Sequence, residues 1–168
     1  MHDRLTRKDI ELMQAELEDR LKNIRPKIIE EVKRTREFGD LSENYEYKAA
    51  KQAQRRNDSR VRYLQNMIKT AIIIEETPEN ADEVKLYDKV TIYMPEDDET
   101  MVVQVVSTVR IQPDAGFISM EAPLGKALLG RHIGDTVTVH VNEDYSYDVV
   151  IKKIEASEDD GTAPLLEY

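Results

Sequence analysis

The sequence predicts an α+β protein: a long N-terminal antiparallel α-helical coiled-coil hairpin followed by a small, mostly antiparallel β-rich domain. Three observations predict it. Apolar residues keep a helical period through the first 72 residues. After about residue 84 the period changes to two. The stretch between is short and polar and holds Pro78 and Asn80. The expected division is therefore 1–74 for the hairpin, 75–83 for a linker, 84–155 for the β-rich domain and 156–168 for an acidic tail.

In the first helix the apolar stripe runs Ile10, Met13, Leu17, Leu21, Ile24, Ile28, Val32. Its steps of three and four sum to a repeat of eleven, or ~3.67 residues per turn, which predicts a straight or slightly right-handed coil. The second helix repeats the scheme at Ala50, Ala53, Asn57, Val61, Leu64, Ile68 and Ile72. Two matched stripes with a short connection pack antiparallel. Pro26 falls inside the first stripe, where a missing N–H predicts a kink or short break. Gly39 is the only glycine before Gly116 and marks the end of the first helix. At ~1.5 Å per residue, arms of about 30 residues give the hairpin a reach of roughly 45 Å. Such a rod has little interior; its use is reach.

The second half alternates. Strands are expected around Val90, Ile92, Met94; Val103, Val105, Val109; Val137, Val139, Val141; and Tyr147, Val149, Ile151, separated by turns at Pro95–Thr100, Gln112–Gly116 and Asn142–Ser146. Pro123 to Gly130 reads as a short helix, with proline in its first turn and glycine at its C-terminal cap. Ala156–Pro164 is polar and acidic and reads as a mobile tail.

Composition removes whole classes of function. The chain has no cysteine, so disulfides and thiolate metal sites are excluded. Its three histidines, His2, His132 and His140, lack the spacing of zinc ligands. The charged first residues do not form a signal peptide. No apolar run nears the ~20 residues that cross a bilayer. A soluble cytoplasmic protein is expected. The net charge of −10 is a poor match for nucleic acid in general, but it is unevenly placed. Leu41–Ile72 holds 3 acids and 7 bases, whereas Ile73–Tyr168 holds 21 acids and 7 bases. The bases Lys48, Lys51, Arg55, Arg56, Arg60 and Arg62 form a stripe on the second helix. It reads either as a solvated face that balances the acids of the first helix or as a local contact for phosphate.

The connection Gly39-Asp40-Leu41-Ser42-Glu43-Asn44-Tyr45-Glu46-Tyr47 supports two readings. In one, Asp40 is the N-cap of the second helix and Glu43 its third residue, a variant of the capping box. In the other, two carboxylates three residues apart, with Cβ atoms ~5–6 Å from each other, share one divalent ion at the end of an exposed rod. Magnesium suits so few protein donors when a partner supplies the rest. Tyr45 and Tyr47 are candidates for stacking on a base, and Tyr47 is equally a candidate for packing across the hairpin.

Residues 39–51, Gly-Asp-Leu-Ser-Glu-Asn-Tyr-Glu-Tyr-Lys-Ala-Ala-Lys, together with Arg25-Pro26-Lys27-Ile28 and Ala122-Pro-Leu-Gly-Lys-Ala-Leu-Leu-Gly-Arg131, resemble the motifs of the Gre-type bacterial transcript cleavage factors, in the same order. The resemblance covers about residues 5–155. It implies an FKBP-like fold for the C-terminal domain. It implies that the hairpin enters the secondary channel of bacterial RNA polymerase and stimulates the polymerase's own Mg²⁺-dependent cleavage of backtracked RNA, the protein itself not being the enzyme. Asp40 takes the position that helps hold a magnesium ion shared with the polymerase, and Glu43 the position that orients or deprotonates the attacking water. Lys51, Arg55 and Arg56 take positions facing the RNA 3′ end, and Pro123 and Leu124 positions for polymerase docking. A monomer is expected.

The sequence departs from the family pattern in three places. Ala122 stands where serine is common, the last turn lacks the usual Pro-Gly, and the tail after Glu155 is an extension. Three alternatives stand beside this reading. A channel-binding inhibitor of the polymerase would share the acidic tip. A prolyl isomerase with a coiled-coil arm would share the sheet, but the domain has one phenylalanine, Phe117, to line an aromatic pocket. A structural coiled-coil adaptor would need no chemistry.

Overall fold

The computed structural model describes residues 2–39, 44–75 and 82–167. The chain forms two compact units, one built on Ile10–Ile72 and one on Arg4–Asp9 with Ile73–Glu167.

The first unit is helical. It contains α1 (Arg7–Asp19, whose first turn belongs to the second unit), a five-residue π-helical segment at Arg20–Ile24, α2 (Arg25–Arg36) and α3 (Tyr45–Thr70). The expected stripe lines the seam. Met13, Ala50, Val61 and Leu64 are buried, and Leu17, Leu21, Ile24, Ile28 and Val32 are half-buried. Two positions differ. Ala53 is exposed, and Gln54 is half-buried in its stead. Ile72 lies beyond the end of α3 and is exposed.

Pro26 acts one step earlier in the chain than expected. The helix widens to a π turn just before it, and the Arg25 N–H reaches back to the Arg20 carbonyl. A five-residue hydrogen-bond step is one way to carry a helix past a residue with no N–H. Pro26 then sits in the first turn of α2, where its missing donor costs nothing.

The second unit holds a five-stranded sheet in the order β5-β4-β3-β7-β6. Its strands are β3 (Lys89–Met94), β4 (Glu99–Val106), β5 (Phe117–Ser119), β6 (Thr136–His140) and β7 (Ser146–Glu155). Two short strands precede them, β1 (Arg4–Leu5) and β2 (Ile72–Ile73), and the Ile74 N–H donates to the Leu5 carbonyl at 2.8 Å. All neighbours in the larger sheet are antiparallel except β4 and β5, which are parallel. Alternation places Val90 and Ile92, Val103 and Val105, Val137 and Val139, and Val149 and Ile151 in one core, closed by Leu128 of the short helix α4 (Pro123–Leu128). A bulge between Thr91 and Ile92 shifts the β3–β7 register by one residue, which keeps Ile151 facing the core beyond it.

Two details depart from the sequence reading. β5 was not expected, since three residues are too few to display a period. Val109 is buried but lies past the end of β4, and Val141 lies past the end of β6 and is exposed. α4 approaches the sheet so closely that a Cβ at Gly125 would stand 2.1 Å from the Ser119 carbonyl oxygen. The glycine of the Pro-Leu-Gly motif is therefore a packing requirement.

The acidic segment after Glu155 is not free. Arg110 is fully buried. Its Nη1 and Nη2 donate to the two carboxylate oxygens of Asp159, both at 2.8 Å, and its Nε donates to the Ala163 carbonyl at 2.5 Å. Nη1 also donates to Asp9 Oδ1 at 3.1 Å. Asp9 in turn forms a capping box with Thr6, its Oδ2 accepting from the Thr6 N–H while Thr6 Oγ1 accepts from its own N–H. Burial opposes the charge on Arg110, but its carboxylate partners hold the guanidinium above its ordinary pKa.

Gly125→Ala is expected to destabilise the protein by about 1–3 kcal/mol through forced displacement of backbone, read from urea unfolding. Asp159→Ala is expected to cost about 3 kcal/mol, because it leaves a buried guanidinium with one carboxylate; the midpoint of the same transition reports it.

Candidate functional site at the tip of the helical unit

The two ends of the hairpin meet at Thr35 and Asn44. Thr35 is buried near the end of α2, and its hydroxyl donates back to the Glu31 carbonyl at 2.9 Å. The Thr35 carbonyl accepts from the Phe38 N–H at 3.2 Å and from Asn44 Nδ2 at 2.5 Å. Asn44 is the N-cap of α3, its Oδ1 accepting from the Tyr47 N–H at 3.1 Å. One amide side chain thus caps α3 and ties it to the last turn of α2. Gly39 follows with φ +106°, a conformation that L side chains rarely adopt.

The N-cap of α3 is therefore Asn44, and the helix begins after both carboxylates of the motif. The capping reading of Asp40 and Glu43 is corrected on this point. Asp40 and Glu43 themselves lie outside the described residues.

Rings surround this end. Tyr45 is 80% exposed, and Phe38, which the sequence reading did not single out, is 56% exposed. Tyr47 is half-buried, which favours its packing role. Lys48 Nζ lies 5.5 Å from the Tyr45 ring centre and the Arg34 guanidinium 5.1 Å from that of Phe38. Hydrogen bonding to Glu31 comes first among the causes that raise the Arg34 pKa, and Glu46 at 3.8 Å adds to it.

The basic stripe divides. Arg55 and Arg56 are exposed, as are Lys48 and Arg62, and Lys51 is half-buried with its Nζ donating to Gln54 Oε1 at 3.1 Å. Arg60 belongs to the interior instead. It is 8% exposed, and its Nε and Nη2 donate to the Glu16 carboxylate at 2.7 and 3.3 Å. Arg20 completes the cluster, its Nε donating to Glu16 and its Nη1 to Asn57 Oδ1 at 3.0 Å. Burial alone would raise the Glu16 pKa, but hydrogen bonds and charge from Arg60 and Arg20 outweigh it and lower it. Arg60, three residues after Asn57 and four before Leu64, lies nearer the apolar stripe than Arg56, but the carboxylate that holds it is on the other helix, which no period in α3 reveals.

In the second unit Pro123 is exposed, while Leu124 is half-buried against the core. A cleft of ≈ 250 Å³ there is lined by Lys89, Gln104, Ser157 and Asp160 among others, with Tyr87 and Phe117 as its aromatic members. That lining is polar and acidic, a poor match for a prolyl ring. Among the described residues no group of three or more His, Cys, Asp or Glu side chains could hold a metal ion, and no helix is long and apolar enough to cross a membrane.

Two family models cover most of the chain. One, transcription elongation factor, N-terminal, matches residues 4–73, and the other, transcription elongation factor, GreA/GreB, C-term, matches residues 78–156. The chain belongs to the GreA/GreB family of transcription elongation factors. Among its relatives, transcription elongation factor GreA of Geobacillus kaustophilus is 44% identical over 136 residues, covering 80% of this chain and 85% of that one. GreA of Mesoplasma florum is 37% identical, covering 86% and 94%. The solved structure of GreA factor homolog 1 of Thermus thermophilus aligns with a TM-score of 0.42 at 25% identity, covering 93% of this chain and 100% of that one. The N-terminal match ends at residue 73 and the C-terminal match at residue 156, so Asp159 and Ala163, which pair with Arg110, lie beyond the family's C-terminal module.

The Glu16 clamp has a pH signature. The folded-state pKa of Glu16 lies below its ordinary value of 4.5, so its contribution to stability is full above the unfolded pKa and is lost as pH falls through the folded one. The difference in urea midpoint between the parent and Glu16→Gln is expected to be widest at neutral pH and to close below pH ~4.

Proposed function

We propose that this transcription elongation factor enters the secondary channel of bacterial RNA polymerase with its helical tip and stimulates the polymerase's intrinsic Mg²⁺-dependent cleavage of backtracked RNA. The observation that carries the reading is the cap of α3. Asn44 satisfies the start of that helix, so the acidic pair of the Gly-Asp-Leu-Ser-Glu motif is not needed there. Membership of the GreA/GreB family supports the same reading.

In this reading Asp40 and Glu43 act at the polymerase active centre. Their oxygens are hard donors of the kind magnesium takes, but two carboxylates are too few to hold the ion without ligands from the polymerase. Asp40 would hold that ion, whose chemistry when bound is to polarise the phosphodiester and stabilise charge on its oxygens. Glu43 would orient the attacking water and accept its proton as the new oxygen–phosphorus bond forms and the bond from phosphorus to the 3′ oxygen breaks, that oxygen leaving as the new RNA 3′ hydroxyl after taking a proton from water. Lys51, Arg55 and Arg56 would follow the backbone of the extruded RNA 3′ segment as point charges and forks for phosphate. Pro123 and Leu124 would contribute to docking of the second unit on the polymerase. The factor would act as a monomer in the cytoplasm, without being the nuclease itself.

The test is a stalled, backtracked polymerase complex with end-labelled RNA and Mg²⁺. The parent protein is expected to shorten the RNA. Glu43→Ala is expected to reduce the cleavage rate by about 10²-fold or more, the scale of a lost general base, and Asp40→Ala by at least as much, with binding to the polymerase retained. A parent that binds and does not stimulate cleavage would exclude this mechanism in favour of a channel-blocking inhibitor.

A further inference from the structure

We propose that Tyr45 is a nucleobase-stacking residue at the head of the basic face of α3, and that its occupant is single-stranded RNA; the proposal rests on the cleavage-factor reading above. Tyr45 is the first residue of α3 and is 80% exposed, the most exposed large apolar or aromatic side chain among the described residues. A ring so placed gains almost nothing from burial. Its neighbour in the motif, Tyr47, is half-buried and accounts for packing at this end without it.

The face behind the ring names the partner. At ~100° per residue, Tyr45 shares one side of α3 with Lys48, Gln52, Arg55, Arg56 and Arg62, all of them exposed. Of the two acids of α3, Glu46 falls off that side, 3.8 Å from Arg34, and Asp58 borders it beside Arg55 and Arg62, with Arg25 of α2 at 3.8 Å offsetting its charge. The result is a row of four cations, Lys48, Arg55, Arg56 and Arg62, with an aromatic ring at its distal end and one carboxylate, Asp58, at its edge. That pairing of a basic track with an exposed ring is what single-stranded nucleic acid requires, because phosphates follow the charges and an unstacked base covers the ring. A duplex offers no free base face. Lys48 Nζ, 5.5 Å from the ring centre, is placed to meet the phosphate beside the stacked base.

Stacking of this kind depends on the ring and the base, not on the hydroxyl. The test uses the backtracked polymerase complex with Tyr45→Leu and Tyr45→Phe. Its RNAs form a series in which one extruded nucleotide at a time is abasic. On fully based RNA, Tyr45→Leu is expected to cleave ~10-fold more slowly than the parent, the scale of one lost stack, and Tyr45→Phe to restore most of the loss. On one abasic member of the series the parent is expected to fall to the rate of Tyr45→Leu. If Tyr45→Leu matches the parent on every RNA, the stacking role is overturned. Equal slowing on every RNA, abasic members included, would place the ring against protein and overturn it too. Absence of cleavage by the parent on any RNA would remove the cleavage-factor reading itself, a result distinct from either.

Discussion

A guanidinium with no access to water must be met by fixed charge, and Arg110 sets that constraint for the second unit. Its donors reach Asp9, Asp159 and the Ala163 carbonyl, residues from the beginning and the end of the chain. Leaving out either carboxylate would leave the buried guanidinium with a single counter-charge in a medium of low dielectric. The carboxylate of Asp9 is engaged on both sides, by Arg110 and by the first turn of α1 through Thr6. The segment past the family's C-terminal module is thus an integral part of this unit. Leu166 extends it further, donating its N–H to the Val109 carbonyl at 2.7 Å.

The helical unit obeys the opposite constraint. Two helices have a thin seam, and apolar area alone gives them little stability. The seam is reinforced where Glu16, Arg20, Asn57 and Arg60 meet, and the tip is closed by Asn44 against Thr35. Polar groups used inside the seam are unavailable to a partner, whereas Lys48, Arg55, Arg56 and Arg62 on the outer side of α3 remain exposed. Placing chemistry at the end of such a rod asks for no interior, only for a stable start to α3.

Much of this was legible. The period of the stripes gave two helices and their antiparallel pairing, Gly39 gave the end of the first arm, and alternation gave four of the strands with their buried residues. The acidic string of the tip was visible as a motif, and with it the resemblance to the Gre family. What escaped reading was short or distant. β5 is three residues long, and a strand of that length has no pattern of its own. The cap fell on Asn44, since a string of Asp, Ser, Glu and Asn offers several acceptors and the choice depends on where α2 ends beside it.

The sequence by itself determined the periods, the turns, the class of fold and the motif, because these depend on neighbours within a few residues. Only the tertiary structure decided which charges are structural. Arg60 and Arg110 look like any other arginine in the chain, yet one is fixed by a carboxylate 44 residues away and the other by carboxylates 101 and 49 residues away. Local pattern carries no information about such pairings. They are set when folding removes water from around the charge, and the nearest opposite charge must then take its place.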